Sequence, residues 1–258
     1  VLAVMGGLTL AVWLSTDLLV QWAVDRIPPE WEQRVGQSAY RDFLQQQTVI
    51  KEGPSVAAVH EISRRLIEHL PHTPYTFEIS VVKNDVVNAF ALPGGYVDVF
   101  TGLLEQAKSG EEVAGVLSHE FNHVLERHGL ERIVKQLGVL TVIGIIFGNQ
   151  QGLTGVMKQL GTELLSLKFG RAQETEADVT GLQLLHRARI DPAGMISFFQ
   201  RLSEQEQGRV EWLSTHPMSA ARAERLKREM ALLPTTLPEA FTFQWDVVQK
   251  AAGAPAAR

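Results

Sequence analysis

The run Ser118-His119-Glu120-Phe121-Asn122-His123 contains H-E-x-x-H, residue types suited to hydrolysis assisted by a divalent metal. Two imidazoles four residues apart return to within about 40° of one helix face, with a rise of about 6 Å, so His119 and His123 can address one ion. Glu120, one step round the helix, supplies a carboxylate where a base must take the proton of an attacking water. Alone, such a string also arises by chance on a surface helix. A catalytic zinc site usually takes three protein ligands and keeps a place for water, so two histidines are insufficient. No histidine follows at the third-histidine spacing, and on a continuous helix His128 points about 140° away from His123, as a helix-terminus or structural residue. Carboxylates remain: Gln173-Glu174-Thr175-Glu176-Ala177-Asp178 concentrates three, and Glu174 and Asp178 share a helix face. One can ligate while the other receives the free N–H of a ligating imidazole.

These residues need elements to hold them. Residues 111–127 have apolar side chains at helical spacing, Val113, Val116, Leu117, Phe121 and Val124, and Ser109 with Glu112 predicts a capping box at the start. The acidic block lies on a second amphipathic helix running to Leu185. Upstream, residues 30–47 and 54–70 read as amphipathic helices. The period then changes: residues 75–82, 86–92 and 96–100 are rich in β-branched and aromatic residues, with Pro93-Gly94-Gly95 as a turn. The expected fold class is mainly α with a small antiparallel β-sheet (α+β). A strand ending in Pro-Gly-Gly can stand at a sheet edge, where its free N–H and C=O groups align an extended peptide; otherwise it is an ordinary hairpin strand.

The chain has 258 residues, 45% hydrophobic and 21% charged, the composition of a folded globular unit rather than of disorder or a rod. Its formal charge of −5 gives no basic surplus for nucleic acid, so no nucleic-acid partner is expected. Cysteine is absent, which removes thiolate chemistry and leaves any metal to His and carboxylates. Residues 1–16 carry no charge, and 1–27 are expected to be the remnant of an apolar membrane anchor, with a buried apolar helix as the alternative. The flanking charges lean weakly towards a catalytic domain outside the cytoplasm. A second uncharged stretch, 136–157, is interrupted by Asn149-Gln150-Gln151-Gly152 and reads as a helical hairpin packed over the core. Residues 28–250 then form a single domain, and 251–258 a frayed, flexible tail.

H-E-F-N-H and E-T-E-A-D, with Asn88-Ala89-Phe90-Ala91-Leu92-Pro93-Gly94-Gly95 before them and Thr215-His216-Pro217 after, resemble the zinc metallopeptidases of family forty-eight over roughly residues 50–230. That family includes the CAAX prenyl proteases, HtpX, and the Oma-type and BepA-like enzymes. A mostly soluble catalytic domain brings the chain closest to the Oma-type and BepA-like members. The resemblance implies a gluzincin-like metallopeptidase domain holding one Zn²⁺ per chain. His119, His123 and Glu174 would be its ligands and Glu120 the general base. His216 would act catalytically by stabilising the oxyanion, with Asp178 and Arg222 in support, Asp178 orienting a ligand histidine. Residues Asn88, Ala89, Phe90 and Ala91 would bind substrate. The implied function is a zinc-dependent endopeptidase acting on unfolded or misassembled polypeptides near a membrane, attached by its N-terminal segment, in a bacterial-type inner membrane with the catalytic domain on the periplasmic side. The alternative is a chaperone-like peptide-binding module with a latent or rarely used site, gated by the loop 149–154 or by His216 itself.

Overall fold

The computed structural model describes residues 18–148, 168–204, 211–217 and 220–254. The expected gating loop and residues 1–17 therefore lie outside the described residues, as does the second half of the 136–157 stretch. A helical turn over 18–24 leads to α1 (Pro29–Leu44), β1 (Val49–Ile50), α2 (Pro54–Ile67), β2 (Glu78–Val82), β3 (Ala89–Leu92) and β4 (Tyr96–Phe100). Helices then follow one another: α3 (Thr101–Gln106), α4 (Gly110–Leu125), α5 (His128–Leu137), α6 (Val139–Gly148), α7 (Arg171–Arg187), α8 (Ala193–Ser203), α9 (Trp212–Thr215), α10 (Ala220–Leu232) and α11 (Trp245–Gly253). This is the α+β class expected, and no helix among the described residues is long and apolar enough to cross a membrane.

The sheet differs from expectation in one pairing. Its order is β1-β2-β4-β3; the outer pairs are antiparallel, but β2 and β4 run parallel, Ile79 opposite Val97. Residues 83–88 carry the chain past the end of β4, so the β3–β4 hairpin returns with β4 inside and β3 outside. The crossover is held by Asn84, whose N–H donates to Thr101 Oγ1 at 3.1 Å and whose carbonyl accepts from the Gly102 N–H at 2.8 Å. The consequence is a β3 edge that no strand among the described residues pairs with.

Side chains alternate across the sheet and separate two cores. One face, with Val81, Ala89, Val97 and Val99, packs on α2, α4 and α8 through Ile62, Leu117 and Phe198. The other, with Leu92 and Tyr96, packs on α1, on α5 and on the segment 18–27, whose Val20, Ala23, Val24 and Ile27 are buried. The end of the expected anchor is thus seated on the domain. Residues 251–253 are likewise not a frayed tail: they complete α11, where Ala252 is fully buried and its carbonyl accepts from Lys83 Nζ at 2.8 Å. Small, apolar alanines suit a helix end packed in the core as well as a loose terminus, which is why composition alone misplaced that boundary.

Candidate metal centre

The α4 helix starts where the chemistry of its first turn dictates. Ser109 Oγ accepts the Glu112 N–H at 3.4 Å, while the Glu112 carboxylate reaches back to the Lys108 N–H at 2.7 Å, one residue beyond the usual reciprocal cap. Ser197 and Arg201 of α8 bind the same carboxylate, so this cap also docks a helix. One turn further, α4 is buried on every side from Val113 to Val124. His119, Glu120 and His123 are therefore polar groups in a dry interior, a burial tolerated only where partners compensate.

Partners arrive from two later elements. Glu174 projects from α7 with Oε1 3.4 Å from His123 Nε2 and Oε2 3.8 Å from His119 Nε2. His216 follows α9, and its Nδ1 stands 3.1 Å from His119 Nε2 and 3.0 Å from Glu174 Oε1. His119 and His123 bring their Nε2 atoms to 2.9 Å. One donor atom from each of these four residues lies within 4.8 Å of every other, and all four residues are buried. Tetrahedral zinc with bonds of about 2.05 Å needs donors about 3.3 Å apart, the middle of the observed range. The donor set fits a zinc-sized cation; three converging imidazoles beside a single carboxylate would otherwise crowd lone pairs and N–H groups against one another.

Electrostatics follow from this crowding. Burial and the neighbouring His119 hold His123 well below the ordinary imidazole range. Burial pushes Glu174 upward, but His216 and His123 outweigh it and keep the carboxylate ionised far into acid. For His216, burial favours the neutral ring, yet Glu174 and Glu120 prevail and its proton is held more tightly than usual. Asp178, raised by burial, is drawn below its ordinary range by its contacts with His119 and Arg222.

A second ring of contacts orients these groups. His119 Nδ1 lies 3.0 Å from Asp178 Oδ1, and Arg222 grips the same carboxylate with two prongs, 2.7 Å to Oδ1 and 2.8 Å to Oδ2. A further guanidinium nitrogen of Arg222 reaches Glu174 Oε2 at 2.5 Å. Glu120 accepts the Trp212 indole N–H at 2.9 Å and the backbone N–H of Ala91 at 3.2 Å, and His216 Nε2 is 3.4 Å away. Phe169 stacks on His123 at 4.0 Å between centroids, and Trp212 on His216 at 4.7 Å.

The expected residues thus converge: His119, His123 and Glu174 form the donor set, Glu120 adjoins it, and Asp178 and Arg222 brace it. His216 lies among the donors themselves, nearer than an oxyanion donor requires. On β3, the Phe100 N–H donates to the Asn88 carbonyl, so alternation leaves the backbone groups of Ala89 and Ala91 pointing to the open edge. Ala91 meets Glu120 there. Phe90 is different: its ring lies edge-on to Phe43 and Phe100 on the opposite face of the sheet, and by the same alternation its backbone groups turn inward to Asp98 of β4, so neither faces the open edge. His128 also departs from expectation. The α4 helix ends at Leu125, Arg127 turns left-handed with φ 55°, and His128 opens α5 with Nδ1 only 2.9 Å from His123 Nδ1. The 140° estimate assumed a helix that does not continue. Trp212, Phe169 and His128 carried no signal by type, although a tryptophan four residues before His216 and an Arg-His pair after the histidine helix mark where to look.

The family model for peptidase family M48 matches residues 55–230. The mitochondrial metalloendopeptidase OMA1 of Schizosaccharomyces pombe is 30% identical over 229 residues, covering 85% of this chain and 68% of that protein. The β-barrel assembly-enhancing protease of Yersinia pestis is 30% identical over 201 residues, covering 72% of this chain and 41% of the relative. The metalloprotease LoiP of Escherichia coli is 30% identical over 176 residues, or 66% and 68% of the two chains. This chain therefore spans well under half of the Yersinia relative.

Proposed function

The chain belongs to peptidase family M48 and is a metalloendopeptidase, and on that premise we propose that it hydrolyses peptide bonds of unfolded or misassembled proteins near a membrane, with zinc held by His119, His123 and Glu174. The observation that carries the reading is the buried convergence of that donor set with Glu120 beside it. Zinc in such a set supplies Lewis acidity, acidifying water and polarising a carbonyl. The rest is the work of side chains. Glu120, fixed between the Trp212 indole and the Ala91 N–H, takes the proton of the attacking water and returns it to the leaving amine. His216, aimed at Glu120 and shielded from solvent, donates to the developing oxyanion. The open edge of β3 aligns an extended substrate through the backbone groups of Ala89 and the carbonyl of Ala91, the Ala91 N–H being engaged by Glu120, independently of the substrate's side chains, as unfolded substrates require. Asn88 and Phe90 hold that strand in register. The buried apolar segment 18–27, with Leu18, Leu19 and Trp22 exposed on its outer side, supports attachment at a membrane, for which a bacterial-type inner membrane with a periplasmic domain is our reading.

The test compares the parent with Glu120→Gln for bound zinc and for casein cleavage. We expect zinc to be retained and cleavage to fall by about 10²–10⁴-fold; equal cleavage by both proteins overturns the mechanism. One observation favours the alternative of a chaperone-like module with a latent site: His216 Nδ1 completes the donor set and so occupies the place a water needs. His216→Ala separates the readings by sign. Loss of an oxyanion donor lowers kcat by about 10²–10³-fold, whereas removal of a blocking ligand raises activity.

A further inference from the structure

The two imidazoles of α4 are held by different partners. His119 has a carboxylate at its Nδ1, the arrangement usual for a ligating histidine. His123 has none: its Nδ1 faces the Nδ1 of His128 at 2.9 Å, and His128 Nε2 lies 3.3 Å from Glu176 Oε2. Two ring nitrogens at that distance need one N–H and one lone pair between them. His123 turns Nε2 towards Glu174 and His119, so a ligating His123 carries its proton on Nδ1. That proton leaves the lone pair to His128 Nδ1 and puts the second proton on His128 Nε2, facing Glu176. The chain of donors and acceptors closes with each atom used once. It runs from the buried donor set to a carboxylate whose side chain is 54% exposed.

We propose that His128 is a positioning residue for His123, fixing its tautomer and ring orientation through a His123–His128–Glu176 chain that does for this ligand what Asp178 does for His119. The left-handed Arg127 makes the chain possible, because it alone swings His128 back over the last turn of α4. Arg127 is fixed there by three acceptors: Glu32 Oε2 at 2.9 Å, the Val24 carbonyl at 2.9 Å and the Ile27 carbonyl at 2.8 Å. The inference rests on the reading that this donor set binds zinc, and adds to it the residue that aims one ligand.

The test uses full-length chain titrated with Zn²⁺ against a competing chelator, with casein cleavage as a second readout. His128→Leu fills the volume without an acceptor, and its zinc dissociation constant is expected to rise 10–100-fold. His128→Asn places an amide oxygen where Nδ1 was and keeps affinity within a few-fold of the parent. Leu and Asn variants of equal affinity, whether both tight or both weak, overturn the proposal. A parent that binds no zinc overturns instead the reading beneath it. Should neither variant fold, ¹⁵N-histidine spectra of the zinc-loaded parent decide: a hydrogen-bonded Nδ1–H on His123 coupled to His128 is expected, and an Nε2–H on His123 refutes the chain.

Discussion

Asp98 is a buried carboxylate that the proposed chemistry does not use. It lies on β4 opposite Phe90 and Ser80, on the face covered by α1, fully buried, and neither carboxylate oxygen has a hydrogen-bond partner among the described residues. Burial, with a contribution from Glu78, pushes its pKa up to about 8. The folded chain therefore keeps a proton that the unfolded chain sheds near pH 4, so stability falls as pH rises from there through about 8, at up to ~1.4 kcal/mol per pH unit. Asp98→Asn, neutral and nearly isosteric, is expected to match the parent near pH 4 and to exceed it by several kcal/mol at pH 9, as read from denaturant midpoints at the two pH values. Identical pH dependence in the two proteins refutes this. The same contrast explains what was legible at this scale. His119, Glu120 and His123 are marked out by the H-E-x-x-H spacing, whereas Glu174 is singled out from its acidic neighbours only by the family resemblance, because an acidic run on a helix otherwise suits a solvated face. Trp212 and His128 are marked by neither, since an indole N–H or a neutral imidazole acquires its task only when the fold brings an acceptor or a ligand against it.

At the scale of elements, the site depends on how closely α4 can be approached. Gly115, one turn before His119, lets α8 cross so tightly that an added Cβ falls 2.6 Å from Met195 Cα; Gly194 of α8 makes the reciprocal approach to the Glu111 backbone. Gly115→Ala must push α8 outward and strain the Glu112–Arg201 contact, and we expect a cost of about 1–3 kcal/mol in denaturant stability. Gly181 of α7 leaves 3.3 Å between such a Cβ and the His119 backbone, so Gly181→Ala is expected to cost less. If Gly181→Ala proves the more damaging, the α4–α8 crossing is not what limits packing here. Helix positions were legible because the apolar period of α4 is strong and its cap is local. The C-terminal boundary was not: residues 126 and 127 continue the pattern in composition, and the helix stops because Arg127 is captured by groups about 100 positions earlier in the chain. The parallel β2–β4 pairing escaped for a similar reason, since alternating strands look alike whichever neighbour they choose.

Across the whole molecule, one guanidinium joins the N-terminal segment to the metal helix. Arg127 binds the carbonyls of Val24 and Ile27 and the carboxylate of Glu32, which also accepts the Tyr75 hydroxyl at 2.7 Å. Glu32 is 1% exposed, and burial raises its pKa against the pull of Arg127. Removing a partner from such a buried charge costs more than the pair is worth, about 3–5 kcal/mol, because the remaining charge is left uncompensated. Arg127→Ala is therefore expected to lower the denaturation midpoint and to speed amide exchange over residues 18–27, where two carbonyls lose their donor. If uncompensated charge is the cause, Arg127→Ala combined with Glu32→Gln recovers part of the loss, since the neutral amide needs no cation. A double variant no more stable than Arg127→Ala alone would instead assign the cost to the lost carbonyl contacts. In either case the segment 18–27, apolar on the side it buries, is coupled to the turn that places His128, so loosening it weakens the hold on His123 without touching a donor atom.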